Sequence, residues 1–159
     1  MTLRDPLLVA HHTAICVNDF DHALDFYADF LGFTVEGELD QRDEPVLGEV
    51  VGLPGAVIRW AMLRLGSYRL ELFKYYTPQG DTEPRRQCDF GYNHMAFEVA
   101  DVDAVYRQTV AAGYRANSPP RNLRGGRTRV FYLREPEGAI TEFIQFVDAS
   151  RGGSGEDTT

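Results

Sequence analysis

Shifting the 159-residue sequence by 82 positions, from His12 to His94, lays one segment on another. HTAICVNDFDHALDFYADFLGF falls on HMAFEVADVDAVYRQTVAAGY. Ala14 then meets Ala96, Val17 meets Val99, Asp19 meets Asp101 and Asp21 meets Asp103, while Gly32 and Gly113 close the segments one position out of step. A repeat on this scale restricts the chain to two like modules, each a supersecondary unit that completes its core with few elements.

Each segment reads as a strand followed by a helix. HTAICV and HMAFEV are short, apolar and partly β-branched or aromatic, as strands prefer. Asp19 and Asp101 suit helix N-caps, because a short carboxylate accepts hydrogen bonds from the free amides of the first turn. Phe20, Ala23, Leu24, Tyr27 and Leu31 recur at helical spacing, and Val102, Val105, Tyr106 and Thr109 keep the same phase. Gly32 and Gly113 fit the left-handed position that ends a helix. Each half then closes with strands. VIRWAMLRL and YRLELFKYY flank Gly66-Ser67, a hairpin signal. RTRVFYL and AITEFIQF flank a turn carrying Pro136 and Gly138.

The expected fold is therefore α+β, with two tandem βαβββ modules forming a curved mixed sheet around a metal cavity. The first module spans residues 8–76 and the second 93–148. Residues 77–92 are polar and carry Pro and Gly, as a linker does, and 149–159 form a Gly/Ser-rich tail expected to be disordered. In each module the helix covers one sheet face, and the two bare faces can enclose the site.

Strand alternation decides which side chains look into that space. Thr13, Ile15 and Val17 share the face that meets the helix, which turns His12, Ala14 and Cys16 the other way. In the repeat, Met95, Phe97 and Val99 oppose His94, Ala96 and Glu98. Glu71 sits between Leu70 and Leu72, and Glu142 between Thr141 and Phe143. A carboxylate within an apolar strand is costly unless paired or bound to a cation. One lone histidine or glutamate would ordinarily be structural. Here each half supplies one of each at matching places, and two imidazoles with two carboxylates suit one divalent metal ion, Zn, Ni, Co, Mn or Fe(II). The metal ligands are thus His12, Glu71, His94 and Glu142. Glu98, Tyr75 and Trp60 are candidate substrate-binding residues, with a solvated strand end, packing and a core position as their respective alternatives. Cys16 reads as a buried inert thiol, and His11 and His22 as surface residues. PPRNLRGGR, with three arginines, reads as a solvated loop before a lid or anion contact.

The net charge of −8 and pI near 4.9 disfavour nucleic acid and anionic membranes as partners. No apolar run approaches the roughly 20 residues of a membrane helix, and the first residues do not read as a signal peptide. The two cysteines stand in no C-x-x-C pair, which argues against a zinc knuckle or dithiol redox motif, and they are too few for a disulfide framework, so a reduced, cytoplasmic setting is expected.

The run of HTAICVNDFDHALDFYADFLGF, LELFKY, HMAFEVADVDAV and REPEGAITEFIQF resembles the vicinal oxygen chelate superfamily over about residues 10 to 147. That group includes glyoxalase I, methylmalonyl-CoA epimerase, extradiol dioxygenases and bleomycin-binding proteins. The resemblance implies paired βαβββ modules, a metal at the four residues named above and a homodimer. Glyoxalase I usually has Arg and Asn where this chain has Cys16 and Tyr75, which argues against a glutathione substrate. What the resemblance then implies is an isomerase or epimerase working through a metal-chelated enediolate of a small polyhydroxy ketone, similar to cyclitol epimerases. A 2-hydroxycarbonyl compound is the other substrate class. Glu142 and Glu71 would carry the protons. A glyoxalase-type lyase, an Fe(II) ring-cleaving dioxygenase and a non-catalytic binding protein are the competing expectations.

Overall fold

The computed structural model describes residues 9–147 other than 84, 85, 90, 92 and 93. The tail from 149 lies outside the described residues. The chain divides into two compact units, Met1–Glu83 and Pro84–Thr159.

The first unit holds β1 (Thr13–Cys16), α1 (Phe20–Asp25), β2 (Thr34–Arg42), α2 (Pro45–Val50), β3 (Val57–Leu65) and β4 (Tyr68–Thr77). Its sheet runs β1-β4-β3-β2, with β1 parallel to β4 and the other pairs antiparallel. The second unit holds β5 (Met95–Glu98), α3 (Val102–Ala111), β6 (Arg115–Ala116), β7 (Arg121–Leu123), β8 (Thr128–Arg134) and β9 (Ile140–Phe146). Its order is β5-β9-β8-β6, with β7 also pairing with β8 and β5 parallel to β9. Two mixed sheets with few helices make the α+β class. The short helix α2 was not foreseen: Pro45 starts it, but its six residues are too few to display a helical period.

The repeat is legible in the helix starts. Asp19 accepts a hydrogen bond from the His22 amide at 3.1 Å, and Asp101 one from the Ala104 amide at 2.9 Å. Beyond Asp25, α1 widens into a π-helical turn, Phe26–Phe30, in which the Leu31 amide reaches back to the Phe26 carbonyl. Gly32 (φ 80°) and Gly113 (φ 88°) follow the two helices in the left-handed region.

Burial follows the expected alternation. Ile15, Val17, Ala61, Leu63, Leu70 and Leu72 are buried on one face of the first sheet, as are Phe20, Ala23, Phe26 and Tyr27 of the helix. Met95, Phe131, Leu133, Thr141 and Phe143 are their counterparts in the second unit, with Val102 and Thr109 from α3. The Thr141 hydroxyl bonds the buried Glu135 carboxyl in the turn before β9.

A matched ion pair ties each helix to its sheet. Arg59 on β3 reaches Asp21 at 2.8 Å and Glu38 at 2.7 Å, and its guanidinium lies 4.3 Å from the Phe20 ring centre. Arg129 on β8 grips Asp103 at 2.7 Å through two nitrogens. Trp60 faces Phe73 and Val130 faces Ile144, so Arg59 and Arg129 hold equivalent places, as Asp21 and Asp103 do in the sequence.

Leu72→Ala should lower stability by about 2–5 kcal/mol, because it opens a cavity in the centre of the first core. Chemical denaturation checks it, and a loss below 1 kcal/mol would mean that this core repacks freely. The hydrogen bond from Arg129 holds the Asp103 carboxyl below its usual range. Its contribution is therefore present above the ordinary aspartate value near 3.9 and fades as pH falls through the lower folded value. Arg129→Met should reduce Tm at pH 6, and its gap to the unaltered protein should narrow below about pH 4. A gap independent of pH would contradict the pairing.

Candidate functional site

Each unit has one sheet face turned away from its helix, and on that face it holds one His–Glu pair. In the first unit β1 and β4 are parallel with Ala14 opposite Glu71. His12, two residues before Ala14, brings Nε2 to 3.1 Å from Glu71 Oε2. In the second unit Ala96 stands opposite Glu142, and His94 Nε2 lies 3.1 Å from Glu142 Oε2. The same register and spacing occur twice because the same strand pairing does.

The glutamates are forced to this face. Leu70 and Leu72 beside Glu71 are fully buried, as is Thr141 beside Glu142, with Phe143 nearly so. The Glu71 side chain keeps only 14% of its exposure and that of Glu142 12%, against 36% and 31% for their histidines. Carboxylates so enclosed require donors.

The groups next to the two glutamates differ between the units. Trp60 Nε1–H donates to Glu71 Oε1, the oxygen that does not face His12. In the second unit Tyr132 stands directly opposite Glu142 in the strand register, and its ring meets His94 edge-on at 5.3 Å. Burial first, then the nearby Glu142 carboxylate, push the Tyr132 phenol up, while Arg124 acts the other way. His12 is also held from behind, its Nδ1 lying 2.8 Å from His11 Nδ1.

Of the residues singled out in the sequence, His12, Glu71 and Trp60 come together in one unit and His94 and Glu142 in the other. Tyr75 is four residues beyond Glu71 on the same face. Burial, followed by the nearby Cys16 and Glu71, pushes its phenol up. Glu98 is exposed at the end of β5, opposite Ile144. Cys16 is exposed, contrary to the expectation of a buried thiol, because β1 turns it to the open face; partial burial still holds the thiol up. His22 is exposed. So is His11, but its bond to His12 gives it a role beyond a surface position. Part of PPRNLRGGR is ordered as β7 against β8. Tyr132 was missed, although counting back from Glu142 through the REPEG turn places it directly opposite.

Two donors that share one cation at about 2.0–2.2 Å stand roughly 3.0–3.5 Å apart. The 3.1 Å spacing in each unit fits neighbouring ligands of one ion. Imidazole nitrogen and carboxylate oxygen are the donors that borderline divalent metals take. Among the described residues no three His, Cys, Asp or Glu side chains are grouped to hold a metal, so each unit offers two donors.

The family model of the Glyoxalase/Bleomycin resistance protein/Dioxygenase superfamily matches residues 9–143. A 2-epi-5-epi-valiolone epimerase from Actinomyces sp is 33% identical over 144 residues, covering 86% of this chain and 79% of the relative. A probable lactoylglutathione lyase from Vibrio parahaemolyticus is 27% identical, covering 91% and 95%. A glyoxalase family protein from Bacillus cereus shares the fold with a TM-score of 0.78 at 24% identity, covering 89% of this chain and 96% of that one. With its family model spanning nearly all of the described residues, the chain belongs to the glyoxalase/bleomycin resistance protein/dioxygenase superfamily.

Proposed function

We propose that the chain is a metal-dependent epimerase that moves a proton next to a carbonyl on a small polyhydroxy ketone. His12, Glu71, His94 and Glu142 are the proposed ligands of one divalent cation, zinc, nickel, cobalt or manganese. The observation that carries this is the twofold His–Glu pair, with the same register and the same 3.1 Å spacing in both units. The bound cation would supply Lewis acidity, easing the build-up of negative charge on a substrate oxygen.

The residues do the remaining work. Glu142 takes the proton from the carbon beside the carbonyl, with the Tyr132 side chain directly opposite it on β8. Glu71 would return a proton to the same carbon from Oε2, the oxygen that Trp60 leaves open, starting protonated in the turnover in which Glu142 starts ionised. Trp60, Phe73 and Tyr75 line the face around Glu71 with rings, and Cys16 beside them is a raised, protonated thiol. Uncharged aromatic surface suits the C–H face of a cyclitol. Cys16 and Tyr75 stand where the resemblance implies Arg and Asn in glyoxalase I, which favours the activity named for the epimerase relative over that named for the lyase relatives. Binding of a second copy of the chain, as the resemblance implies, belongs to the same proposal.

Elemental analysis of untagged protein should find about one divalent metal per chain, and His12→Ala or His94→Ala should remove it. With a redox-inert metal present, Glu142→Gln should slow exchange of the substrate's carbonyl-adjacent proton with deuterated water by about 100-fold or more. Unchanged exchange would take Glu142 out of the role of base. Oxygen uptake that depends on iron would replace the epimerase with a dioxygenase, and tight ligand binding without turnover would leave a binding protein.

A further inference from the structure

We infer that Trp60 is a positioning residue that reserves one oxygen of Glu71 and leaves the other to work in the site. This rests on the metal reading of the His12–Glu71 pair. The two oxygens of Glu71 are already divided: Oε1 accepts from the Trp60 indole, and Oε2 faces His12 Nε2. An indole N–H only donates, so it can hold Oε1 as an acceptor but cannot exchange roles with it. The carboxylate is thereby fixed against rotation, and Oε2 is the oxygen presented to a cation.

The strand register makes this placement specific. The residue directly opposite Glu71 is Met62, which has no donor to give. Trp60 stands opposite Phe73, two positions along, and only a side chain as long as an indole returns to Glu71 from there. Its six-membered ring passes over Gly37 on β2, 3.5 Å from where a Cβ would stand. The second unit solves the same problem differently. The equivalent of Trp60 is Val130, and Tyr132, at the equivalent of Met62, is the polar side chain directly opposite Glu142. The two glutamates, alike in the sequence, therefore have unlike neighbours: an indole that only donates holds one, and a phenol stands across the strand pair from the other.

Trp60 is the sole tryptophan of the chain, so one indole N–H resonance reports on this contact. In the unaltered protein that resonance should be shielded from solvent exchange and should move when zinc is added. Glu71→Gln should shift it and speed its exchange without metal. Trp60→Phe keeps a ring and removes the donor. It should weaken zinc binding by about 10- to 100-fold, measured by competition with a chromophoric chelator. Zinc affinity of Trp60→Phe within twofold of the unaltered protein would overturn the inference while leaving the metal reading intact. So would an indole resonance indifferent to both zinc and Glu71→Gln, which requires no Trp60 variant to fold. If the unaltered protein takes up no zinc, nickel, cobalt or manganese, the metal reading fails, and the positioning of a ligand fails with it.

Discussion

A charged carboxylate on a strand whose neighbours are packed into a core has nowhere to go but the opposite face, and it cannot stay there alone. Glu71 and Glu142 are in this position. Each is bracketed by buried residues, and each is mostly enclosed on its own side as well. The energetic demand is for hydrogen-bond donors or a cation. A parallel first strand answers it by bringing a histidine across from the same direction each time. The helix on the far side matters because its packing sets the parity of every strand, and parity decides that histidine and glutamate face the same way.

That packing is held in register by more than apolar contact. The Arg59–Asp21 and Arg129–Asp103 pairs join the first turn of each helix to the strand next to the one bearing the glutamate. Asp21 and Asp103 lie just after the capping residues Asp19 and Asp101, so one short acidic stretch both starts the helix and ties it down. Exposed ion pairs of this kind contribute little each, and their value here is geometric. They fix where the helix begins relative to the strands that present the site.

Much of the molecule was legible because two periods, 3.6 and 2, were written over a repeat. The strand–helix starts, the hairpin at Gly66 and the faces of His12, Glu71, His94 and Glu142 follow from alternation and spacing. The parts that were not legible each depend on a partner distant in sequence. The short helix α2 carries too few residues for a period. Tyr132 joins its glutamate only through the register across the β8–β9 turn. Trp60 could be read as core or lining until its indole was seen to reach diagonally past Met62. Cys16 was expected to be buried because small thiols usually are, yet strand parity outweighed that preference.

By itself the sequence determined the duplication, the α+β class, the helix caps and the identity of the two His–Glu pairs. These are set by local chemistry: which side chain can cap, which backbone position requires glycine, and which face a strand residue must take. Only the tertiary structure decided that each pair stands at 3.1 Å, and that an indole holds one glutamate while a phenol stands opposite the other. Those facts arise from strand register and side-chain reach. They are relations between residues, many positions apart, that no single stretch of sequence contains.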